Sequence, residues 1–300
     1  MQWNHISGCA TTSRISNWVI LMMVSMNPFV VWACICPLSV FFTGNVIALG
    51  GAEKLIAKKA AVMMSMHKKA KKALVNSAQD KLFRQYFNTE DSSHRSNLKD
   101  KIDHISLKVQ SNFHVSEMCL IDPKGNEISR IVGKEIAHDL SNEESSASFF
   151  KPGFEQKPRT AYISPPYLSM DVNRWVLAYV TPVVVEGQVV AILHYEHGLD
   201  VFQLALNKGF EGENQFIVAV NDAGRVVSDS RVTIDIDKQG ENESPEHYFK
   251  EFNFNGRNLS ELLETIDGGK QLEADDGSLF DAAYRKVPHW TLLVFNRTHN

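Results

Sequence analysis

The sequence predicts an α+β protein with a long N-terminal helical region and two antiparallel-sheet modules, preceded by one transmembrane segment. Three observations carry this reading. Residues 18–42 hold no charged side chain, residues 53–113 repeat apolar side chains at helical spacing, and the period switches to strands at Ser116. Helices set apart from hairpin-linked antiparallel strands define the class.

The 300 residues are 44% hydrophobic, which is enough for a sizeable core. A formal net charge of -4 argues against a nucleic-acid partner, whose phosphates would need clustered Lys and Arg. Cys9, Cys34 and Cys36 lie in or before the apolar segment, leaving Cys119 alone in the folded part. No disulfide framework is therefore expected there.

Residues 1–17 form a short tail, and 18–49 read as the anchor. The uncharged run from Trp18 to Phe42 exceeds the roughly 20 residues that cross a bilayer. It also exceeds the roughly 7–15 residue core of a signal peptide, so an uncleaved anchor is expected, with cleavage after Ala48-Leu49-Gly50 as the alternative. Only Arg14 precedes the run, whereas Lys54, Lys58, Lys59, Lys68, Lys69, Lys71 and Lys72 follow it. Charge bias alone would leave the large C-terminal part in the cytoplasm.

Residues 53–115 read as stalk helices. Leu55, Val62, Met66, Ala70, Leu74, Ala78, Leu82 and Tyr86 form one stripe of a single helix reaching about residue 88. After a turn-like stretch, Leu98, Ile102, Ile105, Val109 and Phe113 mark a second helix. Such stripes pack on the chain itself or on a second copy.

Two modules follow, 116–209 and 210–300. In the first, Met118–Ile121 is a strand stopped by Asp122-Pro123-Lys124-Gly125, and Glu127 begins the return strand. Tyr162–Ser164, Trp175–Val185 and Gln188–Tyr195 are further strands, and Leu199–Leu206 is a short helix. The second repeats the order, with Phe216–Val220, the turn Asn221-Asp222-Ala223-Gly224, a strand from Arg225, and a hairpin over Phe280–Phe295. The repeat is one of topology, not of sequence.

Tyr162-Ile163-Ser164-Pro165-Pro166-Tyr167, the strand from Arg174-Trp175 to Pro182-Val183, and Gly187 to Glu196 resemble the membrane-distal half of double Cache domains. The two turns and the closing Trp290–Val294 strand fit the same layout, and the resemblance covers about residues 53–297. It implies two PAS-like modules outside the bacterial inner membrane, in the periplasm. The distal module would bind a small molecule and signal through the stalk. Long translocated domains are where charge bias predicts orientation least well, so the resemblance decides the orientation expected here. The chain ends soon after Phe295, so no output domain of its own is expected. The implied partners are a small molecule, the membrane, a second copy through the stalk helices and a separate signalling protein. The alternative is a ligand-free structural or dimerisation module that holds a membrane signalling partner.

The candidate ligand residues are Phe149, Phe150, Tyr162, Tyr167, Asn173, Arg174, Trp175, Tyr179 and Glu196. Amino-acid-sensing members of the family grip the ligand carboxylate with an Arg just before an aromatic pair. That pair resembles Phe149-Phe150 here, but the Arg position is Ala147, and an expected Asp is Ser169. Glu196 matches the acidic residue of the last strand. Loss of a bidentate carboxylate anchor disfavours amino acids, and an amine, or another uncharged or cationic ligand, fits Glu196 and the aromatics better.

His194 and Glu196 would share a strand face, with His197 on the other, and no third metal ligand is evident. Asp235 to Glu246 nearly matches a calcium loop, but Gln239 and Pro245 depart from it, so a solvated acidic loop is expected. With no nucleophile elbow, phosphate loop or His-Glu-x-x-His motif, no catalytic residue, cofactor or metal is assigned.

Overall fold

A 35-residue helix, α1 (Thr43–Ser77), runs along both sheets of the fold. The structure, a computed structural model, describes residues 43–113, 117–169, 171, 173–210, 214–232, 250–267 and 271–298. The predicted anchor up to residue 42 and the calcium-like loop Asp235 to Glu246 lie outside the described residues. Among the described residues, no helix is long and apolar enough to cross a membrane.

The buried line of α1 is Ala52, Ile56, Ala60, Met63, Ala70 and Leu74, with Lys59 and His67 in the same face. Steps of three and four keep these residues on one side of a helix. This corrects the predicted stripe in its first half, whereas Ala70, Leu74 and Ala78 are buried as expected. Leu55, Val62 and Met66 are only half-buried, because the buried face includes a lysine and a histidine that an apolar pattern passes over. The single helix to residue 88 is also corrected. It breaks after Ser77, and α2 (Lys81–Asn88) starts anew with the Asp80 carboxylate accepting from the Leu82 N–H at 2.9 Å. An N-cap of this kind satisfies a first-turn donor. In the same way Asp91 caps α3 (Ser92–Phe113), accepting from the Ser93 N–H at 2.8 Å.

The first sheet is antiparallel throughout. It contains β1 (Glu117–Ile121), β2 (Glu127–Val132), β3 (Glu135–Ile136), β4 (Tyr162–Ile163), β5 (Tyr167–Ser169), β6 (Arg174–Val185) and β7 (Gln188–Gly198). Its order is β3-β2-β1-β7-β6, and β4 and β5 both pair along β6. A short helix, α4 (Phe150–Phe154), lies on β6 and β7, while α5 (Leu199–Asn207) leads to the second sheet. That sheet comprises β8 (Gln215–Asn221), β9 (Val226–Asp229), β12 (Leu272–Glu273), β13 (Leu279–Val287) and β14 (Trp290–Arg297), in the order β12-β13-β14-β8-β9. Between β9 and β12 come a two-stranded pair, β10 (Asn253–Phe254) and β11 (Arg257–Asn258), and then α6 (Leu259–Asp267).

The topological repeat is visible at atomic scale. The Asp122 carboxylate accepts from the Lys124 and Asn126 N–H groups at 2.8 and 2.9 Å. In the second module Asn221, not Asp222, plays that part, accepting from Ala223 and Arg225 at 3.0 Å each. Gly125 closes the first turn at φ 88, and a Cβ there would stand 2.5 Å from the Ser145 backbone nitrogen. Gly125→Ala should therefore cost about 1–2 kcal/mol of stability, read as a lower denaturant midpoint at unchanged slope.

Register decides the faces of the first sheet. Met118 lies opposite Ile131 and Tyr195, whereas Cys119 lies opposite Arg130 and His194. Directly opposed residues share a face. Met118, Leu120, Leu193, Tyr195 and Tyr179 thus join the core around α1. Cys119, Ile121, Ala178, Val180 and Ile192 form the other face, under Phe149 and α4.

Candidate functional site

The face beneath Phe149 is unusually polar for a sheet interior. Phe149 stacks on His194 with ring centroids 4.0 Å apart, and Tyr167 lies 6.0 Å from Phe149. The Tyr167 hydroxyl donates to Glu196 Oε1 at 2.6 Å and lies 3.2 Å from His194 Nε2. Alternation along β7 puts His194 and Glu196 together on this face, as their spacing predicts. His197 lies on the other, against Phe202 at 4.7 Å.

Next to them stand Glu117, Cys119, Glu127 and Arg130, all buried. The Arg130 Nε–H donates to Glu117 Oε1 at 2.8 Å, its Nη1–H to the Asp139 carbonyl at 3.0 Å, and Nη2 pairs with Asp171 at 2.6 Å. The Ser141 N–H donates to Glu127 Oε2 at 2.6 Å. Burial, with the Glu196 and Asp171 charges nearby, holds the Glu117 carboxyl well above the usual range despite Arg130. Burial also raises Glu196, against the Tyr167 and Ser169 hydroxyls, which lower it. The His194 imidazole is pushed down to about 3 by burial and is neutral. Three carboxylates therefore share this face, while Lys59 and Arg130 are the cations buried among the described residues and Lys59 lies on α1. Glu196 Oε2 is buried without a hydrogen-bond partner.

The predicted residues divide. Phe149, Tyr167 and Glu196 converge here. Phe150 and Tyr162 are half-buried at the margin, Phe150 against Phe154 at 4.9 Å and Tyr162 on β4 beside His289 and Trp290. Trp175 and Tyr179 lie on the opposite face, because odd positions of β6 point toward α1. Tyr179 is fully buried there, 2.6 Å from His67 Nδ1. Asn173 is exposed in the β5–β6 turn at φ 48, and Arg174 pairs with Asp200 at 4.0 Å. Glu117, Cys119, Glu127, Arg130 and His194 were missing from the predicted set. The available signal was charge inside the strands on either side of the Asp122 turn.

No family model matches the sequence, and no curated protein matches it. Solved structures do. The sensory domain of the Campylobacter jejuni chemoreceptor Tlp3 with isoleucine bound matches with a TM-score of 0.62 at 11% identity, over 84% of this chain and 94% of that one. The sensor domain of the V. cholerae histidine kinase DctB matches at 0.57 and 12%, over 85% and 99%. The ligand-binding domain of the Pseudomonas fluorescens chemoreceptor CtaA with L-alanine matches at 0.55 and 12%, over 83% and 97%. The chain has the double Cache fold. In double Cache terms the acidic face belongs to the first module, and α1 is the long helix that precedes it. Its Ala147 is half-buried beside Phe149, and Ser169 is buried at the end of β5. An arginine does reach this face, from β2 and not from position 147. Its guanidinium is engaged by Glu117, Asp139 and Asp171.

Proposed function

We propose that this chain is an extracytoplasmic small-molecule sensor domain, anchored in the bacterial inner membrane through residues 18–49, whose ligand is an amine. The stalk helices would pair with a second copy and pass the signal to a separate protein. The observation that carries the ligand class is Glu196, 2% exposed, with one carboxylate oxygen held by Tyr167 and the other without a partner in full hydrogen-bond geometry, the Ser169 hydroxyl being the group nearby. A buried carboxylate beside two others is stabilised by an incoming cation and repels an incoming carboxylate. Phe149 and Tyr167 supply aromatic surface, which also favours an ammonium group. The likeness to receptor sensor domains, several with amino acids bound, supports sensing in general. The engaged state of Arg130 argues against the amino-acid class.

Calorimetry on the purified chain with panels of primary amines, amino acids and organic acids tests this. A primary amine should bind at micromolar affinity, and Glu196→Gln should weaken it by about 30-fold or more, as for loss of a buried charge partner. Micromolar binding of unmodified amino acids without amine binding would overturn the ligand class. No ligand across the panel would favour a ligand-free module that holds a signalling partner.

A further inference from the structure

The amine reading leaves the β1–β2 side of the acidic face unused. There the Cys119 thiol donates to Glu127 Oε1 at 3.0 Å and stands 3.4 Å from Glu117 Oε1. The three ligand atoms lie within 4.8 Å of one another, and all three residues are buried. A zinc ion takes bonds of about 2.3 Å to thiolate and about 2.0–2.2 Å to carboxylate, which sets adjacent donors about 3.3–3.7 Å apart. The spacing to Glu117 falls in that range, and the Glu127 oxygen at 3.0 Å would move out by about 0.3–0.7 Å on binding.

The carboxylates are also held as metal ligands usually are, by outer hydrogen bonds. Arg130 Nε donates to Glu117 Oε1, and the Ser141 N–H takes Glu127 Oε2, leaving Oε1 toward the thiol. Two buried polar atoms without hydrogen-bond partners flank the cluster. One is Nδ1 of His194, the residue directly opposite Cys119 across β1 and β7. The other is Oε2 of Glu196, whose charge acts on both Glu117 and Cys119. With Glu196 Oε2 taken by the amine, Nδ1 of His194 is the atom left without a partner, and an ion or its bound water beside the thiol and the two carboxylates would supply one.

We propose that Glu117, Cys119 and Glu127 bind a borderline divalent transition ion, zinc(II), leaving the fourth position to water. The sulfur excludes calcium and magnesium as preferred occupants. Binding replaces the thiol S–H bond with an S–Zn bond and releases the proton to solvent. Zinc then faces one thiolate and two carboxylates, with Arg130 shared between Glu117 and Asp171. Glu196 keeps its negative charge for the ammonium group proposed above. No sequence motif announces such a site, because residue 127 reaches 117 and 119 only through the β1–β2 hairpin.

The test is titration of the full chain, first stripped with a chelator, with Zn²⁺ against a chromophoric competitor and with Co²⁺ by absorption. One equivalent of zinc should bind at micromolar affinity or tighter, and cobalt should show a sulfur-to-metal charge-transfer band. Cys119→Ser should abolish the band and weaken zinc about tenfold or more, and Glu127→Gln should weaken zinc while keeping the band. Absence of stoichiometric zinc in the wild type, or zinc affinity unchanged in Cys119→Ser, overturns the proposal. Amine titrations on the stripped chain separate the two readings. Amine binding in a chain that takes up no zinc leaves the sensor reading standing and removes this one.

Discussion

Replacing Lys59 with methionine should lower the unfolding free energy by about 3 kcal/mol, read as a shift of the denaturant midpoint. Lys59 projects from the buried face of α1, and its ammonium donates to the carbonyls of Ala205 at 3.2 Å, Leu206, and Lys208 at 2.5 Å. These are the last carbonyls of α5 and its cap, groups that have no partner inside the helix. A cation at a helix C-terminus also complements the helix dipole. The Phe210 ring lies under the same ammonium at 4.9 Å. Burial and the nearby Lys58 and Lys208 lower the Lys59 pKa, so its charge is kept against a desolvation cost. Methionine preserves the apolar stem but leaves the carbonyls unpaired, and each such loss costs about 1–3 kcal/mol when water cannot replace the donor. Lys59→Arg should recover part of the loss. Equal stability of the wild type and the methionine variant would mean that water reaches all three carbonyls. Because α5 joins the two sheets and α1 runs along both, this contact ties the predicted stalk to the segment between the modules.

Much of the strand layout was legible because hairpin chemistry is local. Asp122 to Gly125 marks a turn that the structure keeps, and the runs expected at Met118–Ile121, Trp175–Val185, Gln188–Tyr195 and in the Phe280–Phe295 hairpin are β1, β6, β7, β13 and β14. Three-residue β5 escaped notice, since a strand that short between Pro166 and Asn173 has no readable alternation. The buried face of α1 was misplaced because tertiary contacts bury Lys59 and His67, which composition assigns to solvent. At the site, Glu196 and Tyr167 were found through their strand context. Trp175 and Tyr179 were pooled with them although the two-residue period of β6 turns both toward α1. Glu117, Cys119 and Glu127 could not be joined to His194 and Glu196 from sequence. That pairing exists only through the non-local ladder of β1 with β7.

Between pH 7.5 and pH 5 the wild type should lose about 2 kcal/mol of stability that a His67→Leu variant does not lose, after each is compared with itself at pH 7.5. His67 is 3% exposed and sits where four elements meet. Its Nδ1 lies 2.6 Å from the Tyr179 hydroxyl of β6, its ring stacks on Phe202 of α5 at 5.3 Å, and Trp290 of β14 meets it edge-on at 5.7 Å. His289 stands 6.5 Å away by ring centroids, and Lys71 and His197 add positive charge nearby. Burial first, then His289, Lys71 and His197, push the His67 pKa down to about 4 from 6.5. The sign follows from proton uptake. Between those two values the unfolded chain binds a proton at this position and the folded chain does not, so stability falls as the pH falls. The loss is complete near pH 4, at on the order of 3 kcal/mol. Glu117 and Glu196 act in the opposite sense, because their raised pKa values let the folded chain take protons first. The wild-type profile is therefore a sum, and the difference from the variant isolates His67. His67→Leu also removes the hydrogen-bond partner of Tyr179, and that loss lowers stability by about 1–2 kcal/mol at every pH without adding any pH dependence of its own. Adding Tyr179→Phe should restore part of that constant loss. A variant whose stability drops between pH 7.5 and pH 5 as steeply as the wild type would show that His67 is protonated in the folded chain. In that case the junction of α1, the first sheet and the second would carry a buried charge instead of a neutral ring.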